Sequence, residues 1–180
     1  MMMNLNRPDA TEALKKIADT EINMNPALET AYEQAYGRFL EALDRIDSAT
    51  LKALRRTAED ARDSSDNKGE TERYDAIDDT LYFLRTLQRK EGSEAKMEFV
   101  RELAKKHLYT IADARSQIEA DARFNEGGVA EAVHQLERVV DNLSQLHFPS
   151  EREAQERDRK AKQADFIAAK REQLRKIGIS

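Results

Sequence analysis

The sequence predicts an all-α fold, an antiparallel bundle of six to seven helices, and three observations lead to it. Glu, Lys, Arg, Ala, Leu and Gln dominate the chain, side chains that lose little rotamer freedom in a helix. Helix breakers are scarce, with six Gly and three Pro in 180 residues. Apolar residues recur at i, i+3 and i+4 along most of the chain, whereas β-branched runs alternating with period 2 are absent.

A first, weakly docked helix is expected over residues 9–22, where Leu14, Ala18 and Ile22 share a face. Asn25-Pro26 opens the second: Asn accepts from orphan N–H groups, and Pro at the first helical position loses no needed donor. Its apolar stripe runs through Leu28, Tyr32, Ala35, Tyr36, Phe39, Leu43 and Ile46. Asp47-Ser48 restarts a helix carrying Leu51, Leu54, Ala58 and Ala61, which should end in the polar loop 63–69. The next helix, 70–90, carries Tyr74, Ile77, Leu81, Leu84 and Leu87, with Tyr82 and Phe83 widening the face.

Gly92 supplies a stop and Ser93 a new N-cap. A long helix is then expected over 94–124, uninterrupted by Gly or Pro, with Met97, Val100, Leu103, Ala104, Leu108, Ile111, Ala114 and Ile118 on its buried side. Asn125-Glu126-Gly127-Gly128 reverses the chain into a helix carrying Val129, Val133, Leu136, Val139, Val140, Leu143 and Leu146. Together the two arms predict a long central αα-hairpin. Phe148-Pro149 stops it, and Ser150-Glu151-Arg152-Glu153 reads as a capping box for the last helix. No repeat at a solenoid period is visible. The expected organisation is a bundle over residues 1–149 and a charged helical docking element or extension over 150–180.

The last segment differs in character. From 151 to 163 its only apolar residues are Ala154 and Ala161. A helix polar all round projects into solvent, bridges two bodies or relies on charge pairs, here Glu153 with Arg157 and Glu156 with Lys160. Beyond it, Phe166, Ile167, Leu174 and Ile177 stand among Lys170, Arg171, Arg175 and Lys176. Residues 151–180 hold nine basic and six acidic side chains, a net of +3, against −8 for the rest. An acidic body with a basic amphipathic end suggests docking onto a second copy or another protein. The plainer alternative is a solvated helix whose end folds back on its own bundle.

Composition narrows the function classes. A net charge of −5 disfavours general nucleic-acid binding, and the tail's own acids dilute its cations as a phosphate-binding surface. The chain has no cysteine, so disulfides, thiolate metal sites and thiol nucleophiles are excluded. No stretch approaches the ~18–20 apolar residues of a membrane span, and Met1 to Pro8 holds no apolar signal region. The expectation is a cytoplasmic protein, or one delivered without such a signal.

Motifs for chemistry are sparse. Glu131-x-x-His134 matches half of a di-iron ligand pattern, but neither His107 nor His147 has a Glu three residues before it. Asp60-x-x-Asp63 and Asp75-x-x-Asp78, with Asp79 beside them, imitate the paired acids of all-α Mg²⁺-dependent nucleotide hydrolases, without the glutamate-led pattern of those enzymes. The 63–69 loop has its Gly one place too late for a Ca²⁺ loop and lacks the closing Glu. Gly127-Gly128 follows no strand and so is no phosphate cradle. Tyr32, Tyr36 and Phe39 could be taken for a base-stacking platform, but they share the core stripe. Arg55-Arg56 and Lys105-Lys106-His107 read as solvated basic clusters.

The function expected on these grounds is a non-catalytic helical protein–protein interaction protein with no cofactor or metal. Its partner-binding residues are Phe166, Ile167, Lys170, Arg171, Leu174, Arg175 and Ile177. Alternatives are a viral or mobile-element assembly protein, a small acidic inhibitor of a host complex, and the Mg²⁺-dependent hydrolase.

Overall fold

The computed structural model describes residues 25–178; the helix expected over 9–22 lies outside them. Among the described residues are seven α-helices and no strand: α1 Pro26–Asp44, α2 Ser48–Asp63, α3 Lys68–Arg89, α4 Ser93–Lys106, α5 Leu108–Ala120, α6 Val129–His147 and α7 Pro149–Lys176. A single 3-10 turn, Ala122–Phe124, precedes α6. The fold is an all-α helical bundle.

Local chemistry sets most of the boundaries. Asn25 Oδ1 accepts from the Leu28 N–H at 3.2 Å, with Pro26 at the first helical position. Asp47 Oδ1 accepts from Ala49 N–H at 3.1 Å and starts α2. Asn67 starts α3 two residues ahead of expectation, because its Oδ1 takes the Gly69 N–H at 2.8 Å. Two expected caps are not made. Gly92, at φ +88°, precedes α4, and Ser93 is already helical with no side-chain cap bond. At α7 Pro149 is itself the first helical residue; its fixed φ admits the helix one place early, which carries Ser150 into the first turn and leaves the capping box unformed.

The uninterrupted helix expected over 94–124 is also not observed. His107, at φ −130° and ψ 20°, separates α4 from α5, and Asp121 ends α5. The apolar row continues through the break, with Val100, Leu103, Ala104, Leu108, Ile111, Ala114 and Ile118 all buried, so apolar spacing could not reveal it. The cause is a polar side chain from α7 inserted into the hydrogen-bond ladder, one of the recognised origins of a helix kink.

α6 is the central helix. Ten of its nineteen residues are buried, from Val129 to Leu146, and it packs on α1, α4, α5 and α7. Its most extensive neighbour is α1, not the expected hairpin arm. The α2–α3 pair attaches through α3 to α5. Phe39, Leu51, Leu81, Leu103, Ile111, Phe124 and Leu136 are fully enclosed in one continuous core. Phe83 joins it, whereas Tyr82 stays half exposed beneath the Arg55 guanidinium, 5.2 Å from its ring centre. The α5–α6 turn comes close to α2: a Cβ at Gly127 would lie 2.9 Å from Thr50 Cγ2, and its φ of +60° already favours glycine.

Candidate functional site

α7 has no buried residue anywhere along its 28 positions, yet its two halves are held differently. The first is attached to the bundle through polar contacts. Arg152 donates to Asp141 Oδ1 at 2.6 Å and to the Ser144 hydroxyl at 2.7 Å, both on α6. Gln155 reaches the α4–α5 break: its Oε1 accepts the Leu108 N–H at 2.9 Å, and its Nε2 donates to the Ala104 and Lys105 carbonyls at 3.0 and 2.7 Å. It thereby serves the last carbonyls of one helix and the first amide of the next, groups that a helix end otherwise leaves without partners. Arg159 closes the series, 2.8 Å from Asp113 Oδ1 and over the Tyr109 ring at 4.8 Å. The polar attachments of α7 to the bundle thus end at Arg159.

From Lys160 to Gly178 every residue is exposed. Phe166, Ile167, Leu174 and Ile177 are 40, 51, 39 and 69% accessible. Apart from Tyr82, they are the large apolar side chains left exposed among the described residues. Helical geometry fixes their direction. At 3.6 residues per turn, Phe166, Lys170 and Ile177 follow Arg159 by about two, three and five turns. They therefore continue the face that Arg152, Gln155 and Arg159 turn toward the bundle, with Ile167 and Leu174 to one side of it. The Phe166 ring lies over the start of α3, where a Cβ on Gly69 would come within 3.4 Å of Cε2. A groove of about 540 Å³ opens there, with Arg73, Gln117, Lys162, Gln163, Phe166 and Ile167 among its walls. Past Phe166 the helix runs on for roughly 15 Å at 1.5 Å per residue.

Of the seven residues expected to bind a partner, Phe166, Lys170 and Ile177 fall on one face, with Leu174 and Ile167 at its margin. Arg171 and Arg175 are turned away, Arg175 about half a turn round the helix, where it pairs with Glu172 at 2.8 Å. Glu156 and Lys160 form their expected pair at 3.4 Å. Lys162, Lys170, Arg171 and Lys176 have no ion-pair partner among the described residues, and Lys170 Nζ lies 5.9 Å from the Phe166 ring centre.

Most of the residues singled out for chemistry make ion pairs or hydrogen bonds with their neighbours. Asp78 pairs with Arg55 at 3.0 Å, and Arg62 holds Asp75 and Asp63 at 3.2 and 3.5 Å. Arg55 and Arg62 thus tie Asp78 and Asp75 across from α3 to α2, whereas Asp60 and Asp79 have no ion-pair partner among the described residues, and burial raises the Asp79 carboxyl. Glu131 accepts from Gln135 at 2.8 Å, while His134 Nδ1 lies 3.8 Å from Glu119. No group of three or more His, Asp or Glu side chains among the described residues is placed to hold a metal ion. Within the loop, Ser65 donates to Glu70 at 3.0 Å.

Tyr32 and Tyr36 stack at 6.2 Å against the core, and Tyr32 donates to Met97 Sδ. Burial pushes the Tyr32 phenol up to about 12. Lys106 pairs with Glu102 at 3.2 Å, and Lys105 lies over the Phe148 ring. His107 packs against Phe83 at 4.9 Å; burial holds its pKa below the ordinary value. Burial likewise raises the Glu137 carboxyl, against the opposing Arg115 with which it pairs. No helix among the described residues is long and apolar enough to cross a membrane.

Arg152, Gln155 and Arg159 were not singled out from the sequence. Their spacing did place them on the face of Phe166, but polar side chains at helical spacing carry no mark of what they will bind. No family model, curated protein or solved structure matches this chain.

Proposed function

We propose that this chain is a non-catalytic protein–protein interaction protein: a helical body that presents the C-terminal half of α7 to a partner. One observation carries the reading, the row Phe166, Ile167, Leu174 and Ile177 left open on a helix whose first half is firmly attached. Burying one such side chain stabilises by roughly 1.5–3 kcal/mol, so leaving four in water has a cost that docking would recover. Helix-in-groove recognition uses anchors of this kind at one, two or three turns' separation. The attached half, fixed by Arg152, Gln155 and Arg159, would hold the open half in one direction and lower the ordering cost of binding.

The test is quantitative crosslinking capture from the source organism's extract. Full-length protein is compared with a Phe166→Ser, Leu174→Ser, Ile177→Ser triple variant. The substituted positions are exposed, so the variant should retain the helical spectrum and melting temperature of the parent while losing specific crosslinked partners. Identical capture by both proteins would refute the reading.

A further inference from the structure

Resting on that docking reading, we infer that the occupant of the α7 overhang is a helical segment of a different protein, apolar along one face and acidic on both flanks. Three observations lead there. First, Phe166 and Ile177 face back along the side by which α7 grips its own bundle, in register with Arg152, Gln155 and Arg159, with Ile167 and Leu174 beside them, and Phe166 closes over the start of α3. A flat lipid surface approaching that face would meet the bundle first. A slender element can enter between the overhang and the bundle's end, where the groove beside Phe166 and Ile167 already opens.

Second, the overhang is strongly basic. Residues 160–180 hold six cations against two acids, and Lys162, Lys170, Arg171 and Lys176 have no ion-pair partner among the described residues. Opposite charge on the partner's rim would steer encounter and fix register, while like charge juxtaposed there would be repelled.

Third, a second copy of this chain is a poor match. Gln163, Ile167, Lys170, Leu174 and Ile177 have the 4-3-4-3 spacing of a coiled-coil seam. Antiparallel pairing of two such helices about their midpoint would set Lys170 against Lys170 and bring both basic overhangs together. Among the described residues, the body of another copy offers Tyr82 as its one large exposed apolar side chain, too little for an apolar seat.

The test uses full-length protein and its Leu174→Ser variant with two synthetic amphipathic helical peptides. Both peptides carry the same leucine row; one is flanked by Glu, the other by Lys. Fluorescence anisotropy should show the Glu-flanked peptide binding at least about tenfold more tightly than the Lys-flanked one. The same preference should appear for wild type over Leu174→Ser, since about 1.4 kcal/mol is a factor of ten. Affinity should fall as salt rises from about 50 to 300 mM, where the Debye length shortens.

Equal binding of the two peptides overturns the acidic partner and leaves docking intact. A dimer in sedimentation equilibrium that Leu174→Ser dissolves also leaves docking intact, but replaces the partner with a second copy. Leu174-dependent binding to phosphatidylserine vesicles overturns both readings. If neither peptide binds, the inference fails, and docking then stands or falls on the crosslinking comparison alone.

Discussion

The Leu108 backbone N–H, first in α5, is received by the Gln155 side chain of α7, 47 residues away in sequence, at 2.9 Å. The same amide group turns its Nε2 on the Ala104 and Lys105 carbonyls. One side chain therefore closes a break in a helix on both sides. α1 ends in a similar way: Gln88 Nε2 of α3 donates to the Leu43 and Ile46 carbonyls at 3.2 and 2.9 Å. Glutamine suits the task because it carries donors and an acceptor at the end of a flexible stem.

Gln155→Ala should therefore destabilise the protein by about 1–3 kcal/mol, the usual cost of leaving buried polar groups unserved. In a chain of this size that lowers Tm by roughly 3–10 °C. Amide exchange at Leu108 should accelerate in the variant. Unchanged stability in urea titrations would mean that water or a re-formed α-helical bond replaces the side chain without loss.

The two halves of α7 should separate on truncation. A chain stopped after Gln163 keeps Arg152, Gln155 and Arg159, so its Tm should stay within about 2 °C of the full chain, as expected where only exposed surface is removed. Stopping after Pro149 removes all three and should cost several degrees. Calorimetry on both truncations decides the matter; equal melting of the two would deny the first half its attachment.

His107 predicts an acid-side loss of stability. Burial beside Phe83 is the main cause of its lowered pKa, Lys106 adding to it and Asp79 and Glu102 opposing it. The unfolded chain then binds the proton more readily than the folded one. This contribution is intact above the ordinary histidine value of 6.5 and is lost as pH falls through it toward the lower folded value. The free energy of unfolding, measured from pH 7.5 down to about 5.5, should decline. His107→Gln should flatten that slope. A slope unaltered by the substitution would assign the effect to other groups.

At Gly127 the expected effect is steric as well as conformational. Gly127→Ala places a methyl group 2.9 Å from Thr50 Cγ2 at a φ of +60°. The strain of a left-handed non-glycine residue is about 1–3 kcal/mol, and the contact adds to it. Thr50→Ser removes Cγ2, so the double variant should regain the steric part while the conformational part persists. Strict additivity in a double-mutant cycle would show that the two residues do not meet.

Helix identity was written locally, and so the sequence sufficed for it. The rows through Phe39 in α1, Leu54 in α2, Leu84 in α3, Ile111 in α5 and Val139 in α6 turn to the core as their spacing required, although Leu28, Tyr32, Tyr36, Ala61 and Tyr74 at their ends are only partly buried. Water drives one face of an amphipathic helix inward whatever the neighbours are. Asn25 and Asp47 set their helix starts for an equally local reason, since a cap spans three residues. The exposure of Phe166, Ile167, Leu174 and Ile177 on α7 follows from a segment too polar to build a core.

What the sequence could not determine was set by groups distant along the chain. The 94–124 segment has continuous helical spacing and no breaker, and it is broken at His107 because Gln155 supplies from outside the bonds that continuity would have made. The direction of Phe166 and Ile177 was likewise decided by where Arg152 and Arg159 meet α6 and α5. Helical periodicity comes from backbone geometry and hydrophobic burial acting within a few turns. A hydrogen bond spanning some fifty residues depends on how the whole bundle packs, and only the tertiary structure contains that.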